Sequence, residues 1–191
     1  MARPLSDEKR DSLLDSTAAA VASSGIAAST LSIATAAGVA EGTLFRYFPT
    51  KDDLLNALYV ELKSDLISFL IEDLPRAHTQ TQFRHLWDRY IDWGTNFPKK
   101  HEALRQLEVS HKISDAALNA SQAMSRELQS LVEAGFASGT LRIQPVLFLW
   151  GVIQSIASLV LETFARDEST IGECKDLGWE TLWGAIAVHK P

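Results

Sequence analysis

The sequence predicts an all-α protein: an N-terminal three-helix domain containing a helix-turn-helix, followed by a larger helical domain, about nine helices in all. Three observations predict it. Apolar residues recur at three- and four-residue intervals along nearly the whole chain, the period of a helix with one buried face, and no run alternates as a strand would. Glycine and proline fall between these runs, at Gly25, Gly38, Pro75, Pro98, Gly139 and Pro145, where helices stop or start. The stretch from Ser29 to Lys51, STLSIATAAGVAEGTLFRYFPTK, has the small residues and aromatics that two short helices joined by a tight turn require. The boundary is drawn after Lys51, giving domains 1–51 and 52–191.

A first helix is expected over residues 6–23. Ser6 stands at its cap position, Asp7 and Glu8 suit the positive end of the helix dipole, and Leu14, Ala18, Val21 and Ala22 form the inner face. Gly25 ends it, and Ile26 tucks back onto the domain. Ser29 and Thr30 can each cap the next helix by accepting a backbone N–H bond, and Leu31, Ile33, Ala34 and Ala37 recur as its buried stripe. Gly38 supplies the left-handed residue that stops this helix, and Val39 plugs the turn. EGTLFRYF then starts a third helix with Leu44 and Phe48 inward and Thr43, Arg46 and Tyr47 outward. In a helix-turn-helix the second such helix lies in the major groove of DNA while the first crosses the phosphate backbone.

From Lys51 to about Leu70 a longer helix, with Asp52 and Asp53 in its first turn, carries Leu55, Leu58, Leu62, Leu66 and Phe69 or Leu70 as its stripe and links the two domains. After Pro75 and the polar run Thr79–Gln82, Phe83, Leu86, Trp87, Tyr90, Ile91 and Phe97 recur as one helix face, ended by Asn96-Phe97-Pro98. A weaker helix over 99–110 turns Leu104 and Leu107 inward, and His111 to Asp115 form a turn. Ala117, Ser121, Met124, Leu128, Leu131 and Gly135 line one further helix. Pro145 is suited to the first position of the next, since its missing N–H would be unpaired there. That helix, to about Arg166, is apolar nearly all round, which predicts burial on several sides. Its apolar run is shorter than the roughly 20 residues that cross a bilayer. A last helix, 172–188, bears Leu177, Trp179, Leu182, Trp183, Ile186 and Ala187.

Charge gives a weaker signal. Residues 1–51 hold five basic side chains (Arg3, Lys9, Arg10, Arg46, Lys51) and five acidic ones (Asp7, Glu8, Asp11, Asp15, Glu41), so the rest of the chain carries the whole net charge of −6. Cationic side chains dominate non-specific affinity for DNA. A neutral head therefore predicts weak non-specific binding, and the acidity argues against adhesion to membrane surfaces. The single cysteine, Cys174, cannot form an internal disulfide, and MARPLSDEKR lacks a signal peptide's apolar core, so the expected location is cytoplasmic.

AGVAEGTLFRYFPTKDDLL resembles the helix-turn-helix signature of the TetR (tetracycline-repressor) family of bacterial transcription regulators, whose commonest form is AGVS-x-GTLYxYFxxK-xxLL. The resemblance stops near Leu58. It implies that Thr30 sits at a phosphate-contacting cap, that Thr43, Tyr47 and Lys51 touch DNA, and that Leu31, Glu41, Gly42 and Arg46 occupy the positions where base choice varies. Three residues depart from the pattern: Ala40 replaces a capping Ser or Thr, Phe45 replaces a Tyr whose hydroxyl usually reaches a phosphate, and Leu31 stands where some members carry a base-reading Arg. The resemblance also implies a homodimer formed by the last two long helices on a pseudo-palindromic double-stranded operator, with Gly151, Ser155 and Ser158 small enough for close approach. It further implies a small apolar or aromatic effector in the second domain, for which Trp87, Tyr90, His111, Met124 and Gln154 are the candidate contacts.

Each feature has a plainer reading. The 29–51 motif could be an ordinary helical hairpin, Glu41 could accept a hydrogen bond from cytosine or merely balance a helix dipole, and Trp87, Tyr90 and Ile91 could fill a core. The histidines lack the i,i+3 or i,i+4 spacing of helical metal ligands, and no GxSxG elbow or phosphate loop appears, so no metal, cofactor or catalytic residue is assigned and the chain reads as a non-enzyme. The function expected is that of a repressor released from its operator by a small molecule. The alternatives are a regulator of the same fold controlled by a protein partner without such a ligand, and a helical adaptor.

Overall fold

Ten α-helices form the described part of the chain, residues 6–188 of a computed structural model. They are α1 (Asp7–Ser24), α2 (Thr30–Ala36), α3 (Glu41–Tyr47), α4 (Lys51–Ile71), α5 (Thr79–Asn96), α6 (Pro98–Glu108), α7 (Asp115–Met124), α8 (Arg126–Ala137), α9 (Val146–Arg166) and α10 (Ile171–Ile186). Arg3, counted above in the charge of the head, lies outside these residues. The all-α prediction holds, with one helix more than expected. The stripe from Ala117 to Gly135 is broken at Ser125, whose φ of −85° and ψ of 6° leave the helical region. No glycine or proline marks that break.

The helices divide into two compact units, residues 6–65 with Phe97–Met124, and Leu66–Asn96 with 125–188. In the first, α1 packs on α6 and α2, and α2 on α3. Leu13, Leu14, Thr17, Ala18 and Val21 of α1 are buried, as are Ile33, Ala34, Leu44, Phe48, Leu54, Leu55, Leu58, Leu62, Ala103, Leu104 and Leu107. The Thr17 hydroxyl donates to the Leu13 carbonyl at 2.6 Å, so this buried polar group is satisfied within its own helix. The inner face of α1 is thus centred on Leu13 and Thr17 as well as on the residues expected.

The second unit has a core of Phe83, Trp87, Ile91, Val132, Leu141, Leu149, Ala157, Val160, Leu161, Trp179, Leu182 and Ile186. Trp93, which the face predicted for α5 omits, is also fully buried, whereas Phe97 is exposed. Close approach of α5 and α10 depends on Gly178, where an added Cβ would lie 2.6 Å from the Trp87 ring and 2.6 Å from Val160. The indole N–H of Trp87 donates to the Lys175 carbonyl at 2.9 Å. Arg84 bonds Asp88 and Asp176 at 2.9 and 2.6 Å, and those contacts, the Asp88 hydrogen bond foremost, raise its already high pKa. After α10 the chain turns back: Arg142 N donates to the Ile186 carbonyl and Val188 N to that of Thr140, forming an isolated antiparallel bridge between Leu141 and Ala187.

The burial predicted for α9 on several sides is not observed. Leu149, Ala157, Val160 and Leu161 are buried, but Leu147 is 85%, Phe148 61% and Leu159 65% exposed. The unit covers one face of this helix, and the apolar residues of the other face remain exposed. Among the described residues it is also the one helix long and apolar enough, by length and composition, to cross a membrane. Pro145 precedes its first residue rather than forming it.

Candidate nucleic-acid interface

The turn between α2 and α3 is built by backbone hydrogen bonds. Gly38, at φ 68°, lets its own N–H reach the Thr35 carbonyl at 3.1 Å while Val39 N donates to Ala34 O at 2.9 Å, the paired closure that ends a helix on a left-handed residue. Ile33 and Ala34 on α2, Leu44 on α3 and Phe48 just beyond it are buried, which fixes the rotation of both short helices. Leu31 is not part of that buried stripe, since it is 59% exposed. A seven-residue helix offers its core about two turns, and Ile33 and Ala34 already fill the inward face.

With Leu44 and Phe48 inward, Gly42, Phe45 and Arg46 are exposed along α3, and Thr43 and Tyr47 are half-buried at its flanks. Nothing lies within 4 Å of the position a Gly42 side chain would start from. Neither α2 nor α3 has a side-chain cap: Ser29 and Ala40 occupy the cap positions without a hydrogen bond to the first turn. The hydroxyl of Thr30, expected to cap, instead donates to Glu41 Oε1 at 2.6 Å, linking the first residues of the two helices.

Tyr47 and Lys51 sit at junctions. The backbone N–H of Ser6 donates to the Tyr47 phenolic oxygen at 2.8 Å, and the O–H still has its hydrogen to give. Lys51 opens α4 directly after a reciprocal cap: Thr50 Oγ1 accepts from Asp53 N at 3.1 Å, and Asp53 Oδ2 accepts from Thr50 N at 3.0 Å. The T-x-x-D spacing at 50–53 is the sequence signal for this box.

Residues 13–58 match the family model described as bacterial regulatory proteins, tetR family. Over these residues the chain matches that family's helix-turn-helix domain. The fold is likewise that of solved TetR-family regulators. A tetR family transcription regulator from Shewanella sp. PV-4 is similar with a TM-score of 0.85 at 22% identity, over 95% of this chain and 99% of that one. One from Marinobacter aquaeolei VT8 has the same score and identity over 96% and 97%. The TetR-like regulator LfrR from Mycobacterium smegmatis, solved with proflavine, has a TM-score of 0.67 at 19% identity over 96% and 99%.

The residues proposed for an effector fall in different parts of the TetR-family fold. In the second unit Trp87 is fully packed, Tyr90 lies half-buried against the same core, and Gln154 is half-buried on α9. In the first unit Met124 ends α7 half-buried. His111, at φ 55°, lines an open groove of about 300 Å3 with Tyr59, Glu108, Ile113 and Leu118.

Proposed function

We propose that the chain is a dimeric transcription regulator that grips a pseudo-palindromic operator and is released from it by a small apolar or aromatic molecule. The observation that carries the reading is the rotation of α3 in a TetR-family head: Leu44 is 0% and Phe48 5% exposed, so Gly42, Phe45 and Arg46 are turned to solvent where a major groove would receive them. Leu31, Glu41, Gly42 and Arg46 would face bases, Thr43, Tyr47 and Lys51 would serve the backbone, and Thr30 would hold Glu41.

The dimer is supported by Leu147, Gly151, Ser155 and Leu159, which recur every four residues on the exposed face of α9, beside Leu177 on α10, 54% exposed. A two-fold axis through that face would pair two heads with two half-sites. The effector part of the proposal draws on the proflavine complex of the LfrR neighbour. In this reading a ligand favours one head separation over another, and α4, continuous through both units, transmits the change.

A gel shift with DNA from upstream of the chain's own gene, repeated with proflavine, tests both parts. A retarded band lost on adding proflavine is expected. No retardation at any protein concentration would sink the operator reading. A band that survives proflavine and other planar aromatics would favour control without such a ligand, a reading supported by the close packing of Trp87 against Gly178 and Val160.

A further inference from the structure

We infer that Glu41, held by Thr30, reads the exocyclic amino group of a cytosine, so that each half-site carries a C·G pair whose identity this carboxylate enforces. The inference rests on the DNA-binding reading of α3 and adds a residue, a base and a positioning partner to it. Glu41 is the sole acidic side chain in α2 and α3. Near phosphates a carboxylate weakens binding to every sequence unless a donor meets it, and phosphates offer none. In the major groove the amino groups of cytosine and adenine are the donors available, and adenine places its N7 acceptor beside its amino group, where a carboxylate is repelled.

The geometry fixes the acceptor. Because the Thr30 hydroxyl donates to Oε1 at 2.6 Å, one carboxylate oxygen is engaged and Oε2 remains as the acceptor for a base. A fixed acceptor can meet one exocyclic amino group, and cytosine's has no N7 acceptor of its own base beside it. The same bond keeps this long side chain in one place before DNA arrives, which reduces the ordering entropy that binding would otherwise have to overcome. Beside it, Gly42 is exposed and has open space around its Cα, so no side chain holds this end of α3 away from the base edges. Thr30 thus acts as a positioning residue, and its hydroxyl serves Glu41.

Selection of binding sites from randomised duplex DNA tests this, using the full-length protein, Glu41→Gln, Glu41→Ala and Thr30→Val. The wild type is expected to enrich a C at one position of each half-site, and replacing that C by T should weaken binding by roughly ten- to a hundredfold. Glu41→Gln should change that position alone to A, because a Gln amide pairs with adenine's N6 and N7. Glu41→Ala should leave it without preference, and Thr30→Val should keep the C while reducing the C-over-T ratio several-fold. Circular dichroism on each variant checks that the head is folded. A wild-type consensus retained at every position in both Glu41 variants would overturn the inference while leaving DNA binding intact. A wild type that enriches no sequence would overturn the DNA-binding reading and this inference with it.

Discussion

The phenolic oxygen of Tyr47, the last residue of α3, accepts the backbone N–H of Ser6 at 2.8 Å, 41 positions earlier in the chain. The side chain expected to touch a phosphate therefore also holds the residue that precedes α1. Tyr47→Phe should cost about 1 kcal/mol of stability from that lost hydrogen bond and weaken binding to all DNA sequences alike. Thermal melts and affinities on several operators measure the two effects. A change in base preference would show that the hydroxyl meets a base edge and not a phosphate.

Lys51→Ala should weaken binding uniformly and lower the slope of log affinity against log salt by about 1, the mark of one lost phosphate contact. Titrations at several salt concentrations decide it. An unchanged slope would remove Lys51 from the interface.

Arg46→Ala should change the selected operator, and Phe45→Tyr should tighten binding by supplying a hydroxyl at a position 40% exposed on the reading helix. An unchanged consensus for Arg46→Ala would make that residue a phosphate clamp.

Leu159→Asp should give a folded monomer with native helix content and no operator binding, because Leu159 is exposed in the monomer and would be buried by a two-fold partner. Ile153→Asp makes the control, since Ile153 packs partly against the core and its loss should unfold the protein. Sedimentation and circular dichroism separate the outcomes. A wild type that sediments as a monomer at micromolar concentration contradicts the dimer.

Gly178→Ala should lower stability by roughly 1–3 kcal/mol, since its Cβ would press on the rigid Trp87 ring. The Arg105 guanidinium, with Gln106 adding a bond, holds the Glu102 carboxyl below its ordinary pKa. Its folded value is the lower one, so its contribution is full above the unfolded pKa and fades as pH falls through the folded one. Glu102→Gln should accordingly flatten the acid limb of the stability curve by under about 1 kcal/mol for so accessible a pair. Denaturant unfolding across pH 3 to 7 tests it.

Much of the head was legible because its signals are local. Gly38 needs a positive φ, and Leu44 and Phe48 sit four residues apart, one helical turn, so that they share a face. The break at Ser125 was not legible, because tertiary packing ends α7 there without any turn residue. Leu31 misled because an apolar residue at helical spacing looks the same whether it meets a core or faces outward. The apolar circumference of α9 misled for a related reason: periodicity reports how much surface prefers cover, and it is silent on whether the same chain provides it. Among the effector candidates, Trp87 lies in the core because Gly178 leaves space for its ring, a complementarity between residues 91 positions apart that no local pattern encodes.

α2 and α3 are each seven residues long and begin without a side-chain cap, whereas α4 begins on the reciprocal Thr50–Asp53 pair and runs for 21. Helices that short nucleate poorly on their own, so both depend on a few inward side chains. Opening α3 alone exposes little more than Leu44, which makes its amides exchange with solvent sooner than those of α1 or α4. The segment proposed to select bases would then be the one whose order an operator completes, and protection of α3 amides on binding would report how well a given sequence fits.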